Sequence, residues 1–237
     1  MTISVTLDCA DCGEPRPFNV HEDQAAAARD GYLAIVCREC SHRHSAERVE
    51  RKVRDALPPG LRDHQLGDLD PVGREAVLEA AHRWAAGELP GIALLGDVGV
   101  GKTTIAAAAV RDYCAQHVEG PTPVWLSTAA LAALARDFGS PERDRTIDQL
   151  TGRSGPLCVD DLDKARPSPY AAEQLYLAID LCITHARPLA TTSNLTPGEL
   201  AERWPDPYGR AIASRLAGYC AMHRLTGADL RLTGGHA

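Results

Sequence analysis

Gly96-Asp97-Val98-Gly99-Val100-Gly101-Lys102-Thr103 decides the fold of this chain. The stretch meets the phosphate-binding pattern G-x-x-x-x-G-K-[ST] at every constrained position. An apolar run, Gly91-Ile92-Ala93-Leu94-Leu95, precedes it, and an alanine-rich run from Thr104 follows. That is the strand, loop and helix context that separates a working loop from a chance match. Glycines let backbone N–H groups turn inward around phosphate oxygens, and the positive end of the next helix faces the same anion. Lys102 is placed to reach the β- and γ-phosphates, and the Thr103 hydroxyl to ligate Mg²⁺. A glycine turn that binds nothing is the plain alternative, and the flanking elements weigh against it. We expect the residues from Gly96 to Thr104 to bind a nucleoside triphosphate, and the loop alone does not choose between kinases, GTPases and motor-type ATPases.

Beyond the loop, apolar and helical patterns alternate. The spacing predicts a helix over Pro71–Ala86 before the loop and one over Thr103–His117 after it. Strand Val124–Ser127, a helix from Thr128 to Asp137 and a polar segment through Leu150 come next. Strand Pro156–Asp160, helix Ala171–His185 and strand Pro188–Thr192 continue the rhythm. Thr196-Pro197-Gly198-Glu199 reads as a capping box with proline at the first helical position. A repeated βα alternation predicts an α/β fold, a parallel sheet covered by helices on both faces.

A later apolar strand ends in paired acids, Leu157-Cys158-Val159-Asp160-Asp161. Asp160 would hold the Mg²⁺ shell and Asp161 would polarise an attacking water. Paired acids after a strand also cap helices or face solvent, but the buried-strand context favours catalysis. Many such ATPases carry Glu at the second acid, and Asp161 is one methylene shorter. Another buried strand, Leu189-Ala190-Thr191-Thr192-Ser193, leads into Asn194, whose carboxamide can bond the same water. In Gly209-Arg210-Ala211-Ile212-Ala213-Ser214-Arg215-Leu216, an arginine near a helix end can neutralise charge on a neighbour's γ-phosphate. Arg210 competes with Arg215 for that role.

The N-terminal part has a different chemistry. Cys9-x-x-Cys12 and Cys37-x-x-Cys40 give the two-knuckle spacing of a structural Zn²⁺ ribbon, with β-like runs at Ile3–Leu7 and Tyr32–Val36 leading into the pairs. His42 and His44 are alternative ligands that four cysteines leave without a place. Cys114, Cys158, Cys182 and Cys220 stand singly among apolar residues, where buried free thiols are the default. The expected organisation is a zinc module over 1–44, a helix and connector over 45–70, and an ATPase domain over 71–237.

The chain has 237 residues and a net charge of −7, so bulk charge repels nucleic acid and any such contact needs a local patch. The stretch from His42 to Arg54 is locally basic and is one such patch, although a solvated helix face explains it equally well. There is no signal-peptide pattern and no apolar run of membrane-spanning length. We expect a cytoplasmic protein that makes no membrane contact.

Taken in order, GDVGVGKT, LCVDDLD, TTSN, AIASRL and Gly227-Ala228-Asp229-Leu230-Arg231 resemble the DnaC/IstB-like branch of the AAA+ ATPases. The resemblance runs from about Leu57 to Leu232. It implies that Lys102 and Thr103 are Walker A residues, Asp160 and Asp161 the Walker B pair, and Asn194 sensor 1. Arg215 becomes the arginine finger, and Arg231 the sensor 2 residue in the closing strand. It implies a helicase loader, phage-encoded by expectation, that delivers a hexameric DnaB-like replicative helicase onto single-stranded DNA. Copies of the chain would assemble with ATP at the subunit interface. An IstB-like transposition helper is the alternative within the branch. A small-molecule phosphoryl-transfer kinase is the alternative outside it, but the arginine-rich lid of such kinases is not visible.

Overall fold

The computed structural model describes residues 1–32, 34–117, 122–134, 140–151 and 155–232. The chain divides into two units, Met1–Glu50 and Arg51–Ala237.

The first unit is built on a hairpin. Strand β1 (Thr2–Asp8) pairs antiparallel with β2 (Pro15–His21), from Thr2 opposite His21 to Asp8 opposite Pro15. Val5 and Val20 are buried and pack with Ala25, Ile3, Leu7 and Phe18. β2 escapes sequence reading because Pro15 and Pro17 interrupt its pattern. A two-stranded sheet has a free side on each strand, so a missing N–H is tolerated there. Conversely, the β-like run expected at Tyr32–Val36 is not a strand: residues 34–36 are irregular, with Ile35 only accepting a bond from the Ala10 N–H at 2.9 Å, and Leu33 lies outside the described residues. After α1 (Ala25–Arg29), helix α2 (Arg38–Ala56) begins inside the second cysteine pair, earlier than the helical spacing from Ser45 predicts.

The second unit carries a five-stranded parallel sheet: β3 (Gly91–Gly96), β4 (Val124–Ser127), β5 (Leu157–Asp160), β6 (Leu189–Ser193) and β7 (Cys220–Leu225). Their order across the sheet is β4-β5-β6-β3-β7. β3, β5 and β6 are buried at every position, as strands covered on both faces must be. The alternation of strand and helix therefore forms the expected α/β fold.

Helix α3 (Glu75–Ala85) starts later than expected, because Pro71–Arg74 forms a turn with Gly73 at φ 72° and the Arg74 N–H bonded to the Pro71 carbonyl. Helix α4 (Lys102–Gln116) buries Ile105, Ala106, Ala107, Ala108, Ala109 and Val110 together. Small side chains let it lie close to the sheet all round. The remaining helices are α5 (Thr128–Leu134), α6 (Pro141–Thr151), α7 (Pro169–Thr184), α8 (Pro197–Arg203) and α9 (Tyr208–Tyr219). The polar stretch before Leu150 is thus largely helical, and the expected end of the preceding helix at Asp137 lies outside the described residues, as do residues 233–237. The α8 capping box forms as expected, with reciprocal bonds between Thr196 and Glu199. The connector from Leu61 to Asp70 is not bare chain, since Leu66 and Leu69 are buried and the Leu66 N–H bonds Asp112.

Candidate nucleotide site and cysteine cluster

The strand order positions the site. β6 lies between β3, which feeds the phosphate loop, and β5, which ends in the paired acids. Leu95 stands opposite Ser193, and Val159 opposite Thr191, so all three strands run out at one edge. That carboxyl edge is where open parallel sheets bind ligands. Lys102, Asp160 and Asn194 converge there from separate parts of the chain.

The Lys102 side chain is buried, and its three ammonium donors have three acceptors: the Gly96 carbonyl at 2.9 Å, the Asp97 carbonyl at 2.6 Å and Asn194 Oδ1 at 2.9 Å. Burial pulls the amine below the ordinary lysine range, while the Asp161 and Asp163 charges pull it back up.

Around the acids the hydroxyls do the connecting. Thr103 Oγ1 donates to Asp160 Oδ1 at 3.1 Å, and Thr192 Oγ1 donates to the same oxygen at 2.6 Å. Thr192 Oγ1 also accepts the Asp161 N–H at 2.9 Å. Asp161 has φ 55°, in the left-handed region where Asp and Asn are far commoner than other non-glycine residues. The backbone conformation at this position therefore suits Asp. Burial first, then the charges of Asp160 and Asp163, push the Asp161 carboxyl above its usual range.

The phosphate loop has the shape of an anion cradle. Gly96, Gly99 and Gly101 have φ of 129°, 79° and 95°. Gly101 caps α4 in the left-handed conformation with no side chain bonded to the helix N-terminus, which leaves its first N–H groups for a phosphate. A Cβ on Gly99 would collide with the Asp229 carboxylate, and the Gly99 carbonyl accepts the Leu230 N–H at 3.0 Å. The tail after β7 therefore packs on the loop.

Three arginines stand outside this hydrogen-bonded group. Arg231 is not in the closing strand, which ends at Leu225. It lies in a turn where its N–H bonds Asp229 Oδ1 at 3.0 Å. The reason is length: Cys220–Leu225 already spans the pairing with β3. Arg215 lies within α9 and bonds Asp180 of α7, with its guanidinium 4.6 Å above the Tyr176 ring. Arg210 is more exposed and pairs with Asp206 one turn away.

Sequence reading passed over two residues here. Thr192 and Asp163 both fall inside motifs that were recognised, TTSN and LCVDDLD, yet nothing in their spacing marks them. Asp163 Oδ1 accepts the Asn194 N–H at 2.9 Å, and Oδ2 accepts the carboxamide Nδ2 at 2.8 Å. Burial pushes this carboxyl up, but the Asn194 bonds and Lys164 outweigh it and hold the group below its usual value.

In the first unit, the Sγ atoms of Cys9, Cys12, Cys37 and Cys40 lie within 4.8 Å of one another. A tetrahedral Zn²⁺ with Zn–S of about 2.3 Å needs sulfurs about 3.8 Å apart. The donors fit zinc in a second way, because backbone N–H groups point at the sulfurs. Cys37 N is 3.2 Å and Asp11 N 3.5 Å from Cys9 Sγ, and Cys40 N is 3.5 Å from Cys37 Sγ. Bonds from the Cys12 and Cys37 backbone lower the Cys9 thiol to about 6, toward the thiolate a metal requires, whereas the Asp11 carboxylate and burial push the Cys40 thiol up. The histidines stay outside. His44 is 3.4 Å from Asp11, and His42 accepts a bond from Arg38.

The second unit has the P-loop AAA+ fold. No protein-family model matches the sequence, and no curated protein matches it either. Solved structures do. A primosome-component candidate from Streptococcus pyogenes serotype M3 superposes with a TM-score of 0.61 at 22% identity, covering 75% of this chain and 96% of that one. DnaI gives 0.60 at 21%, covering 73% and 93%. The DnaC helicase loader gives 0.58 at 20%, covering 68% and 96%. Among the described residues, no helix is long and apolar enough to cross a membrane.

Proposed function

We propose that this chain is an ATP-hydrolysing helicase loader, in which nucleotide controls delivery of a DnaB-like hexameric helicase onto single-stranded DNA. The setting is the bacterial cytoplasm during phage or host replication. The observation that carries the ATPase reading is the convergence of Lys102, Thr103, Asp160, Asp161 and Asn194 at one sheet edge. Likeness to the DnaC helicase loader and to DnaI supports the loader reading.

Each residue then has a task. The α4 N-terminus and Lys102 hold the phosphates, with Lys102 giving up at least one of its three acceptors to do so. Thr103 and Asp160 present a hydroxyl and a carboxylate oxygen that suit Mg²⁺, which neutralises phosphate charge when bound. Asp161 polarises the attacking water, and Asn194 fixes its direction. Arg215 serves the site of an adjoining copy, so that turnover requires assembly. Arg231 approaches the nucleotide from the tail packed on the loop. The four thiolates hold a structural Zn²⁺ in a module that meets the helicase.

The test is ATP turnover by the purified full chain, stimulated by single-stranded DNA or by helicase and lost in Lys102→Ala, with co-purification of the host replicative helicase. Capture of a transposase instead would assign the chain to the transposition helpers. A folded protein that binds no nucleotide would end the ATPase reading.

A further inference from the structure

The Asn194 carboxamide sits between two groups that each accept only one of its ends. On one side is the Asp163 carboxylate, which when ionised has acceptors and no donor. It takes Nδ2 at 2.8 Å and the Asn194 backbone N–H at 2.9 Å. On the other is the Lys102 ammonium, which has donors and no acceptor, 2.9 Å from Oδ1. The flipped carboxamide would set oxygen against carboxylate and NH₂ against ammonium. Asp163 is itself held. Lys164 Nζ lies 3.7 Å from its Oδ2, Ser193 Oγ donates to its Oδ1 at 3.3 Å, and Arg203 Nη2 donates to its carbonyl at 3.2 Å.

We propose that Asp163 is the positioning residue of the nucleotide site, fixing Asn194 so that its oxygen, never its NH₂, faces the reacting groups. Asn194 therefore works as an acceptor. It holds the Lys102 ammonium, and when Lys102 turns to a phosphate the freed Oδ1 accepts a hydrogen bond from the attacking water. The consequence is directional: Asn194 orients water and does not donate to the γ-phosphate. This rests on the ATPase reading of the same site and adds to it a residue that touches no substrate.

Because Asp163 acts through Asn194, its loss should be invisible once Asn194 is gone. The experiment measures ATP affinity and steady-state turnover for the wild-type full chain, Asp163→Asn, Asn194→Ala and the double variant. Asp163→Asn should lower kcat by about 10- to 100-fold, the usual range for losing a group that orients a functional side chain. Its ATP affinity should stay within about threefold of wild type, the signature of a loss confined to the reacting state. The double variant should match Asn194→Ala. Wild-type turnover in Asp163→Asn, or losses that multiply in the double variant, overturns the proposal while leaving the ATPase reading intact. A wild-type chain that does not turn over ATP overturns both. If Asp163→Asn loses its circular-dichroism spectrum, Asp163→Glu takes its place in the same cycle, since its longer arm misplaces the oxygens but keeps the charge.

Discussion

Arg215 of α9 closes on Asp180 of α7, with Nε 2.7 Å and Nη2 2.6 Å from the same carboxylate oxygen. The guanidinium also stacks on Tyr176. Both charged side chains are about one-third exposed (36% and 33%), so the pair contributes about 1 kcal/mol or less to stability. A structural pair and a catalytic arginine predict different behaviour. Asp180→Asn should cost a little stability and leave Arg215 able to act on a neighbour. Arg215→Ala should bind ATP, turn it over at least about 1,000-fold more slowly, and regain activity when mixed with Lys102→Ala. Equal, small effects of the two variants on turnover, with no rescue on mixing, would assign Arg215 to packing alone.

Lys102→Ala removes the ammonium that bonds Gly96, Asp97 and Asn194. Wild type should gain melting temperature with ATP, by about 2.7 kcal/mol of stabilisation at a hundredfold excess over Kd. The variant should show almost none of that gain. An ATP-induced shift of wild-type size in Lys102→Ala would remove this residue from the phosphate site.

Asp161 gives a pH prediction with a definite sign. Its carboxyl is raised by burial and by Asp160 and Asp163, so the folded chain holds this proton more tightly than the unfolded one. The stabilisation is full below the unfolded value of 3.8 and is lost as pH rises through the folded value. At neutral pH the ionised group is therefore a cost. Asp161→Asn removes that charge, suits the φ of 55° and keeps the N–H bond to Thr192. Without nucleotide or Mg²⁺ it should melt above wild type at pH 7, by about 1 °C or more, with the gap closing at pH 4. Turnover should be lost. A variant less stable than wild type at pH 7 would contradict the assigned electrostatics.

Metal analysis under reducing, chelator-free conditions should find about one zinc per chain. Cys9→Ser replaces the sulfur that receives the Cys37 and Asp11 N–H groups. It should release the metal and unfold β1 and β2, while the Arg51–Ala237 unit keeps its ATP affinity. Full zinc content in Cys9→Ser would show that the cluster is not the binding site.

Legibility from sequence followed the range of the interactions. Lys102, Thr103 and Asp160 were readable because their chemistry lies in contiguous motifs attached to strand ends. The α8 cap was readable for the same reason, its bonds joining residues three apart. β2 was hidden by Pro15 and Pro17, because pairing across a two-stranded sheet tolerates what local propensity forbids. Asp163 and Thr192 were hidden because their partners lie about thirty residues away. Arg231 was misplaced in the closing strand because a strand's end is set by its neighbour's length.

Sequence by itself determined that a phosphate loop precedes a buried helix, that paired acids end a buried strand, and that four cysteines stand in two tight pairs. These are local patterns, fixed by backbone conformation and residue chemistry over a few positions. Only the tertiary structure decided that β6 inserts between β3 and β5, bringing Asn194 to Lys102 and Asp163 to Asn194. Strand order depends on which buried faces pack best across the whole sheet, and no local pattern encodes it. The hydrogen bonds that orient the site are consequences of that order.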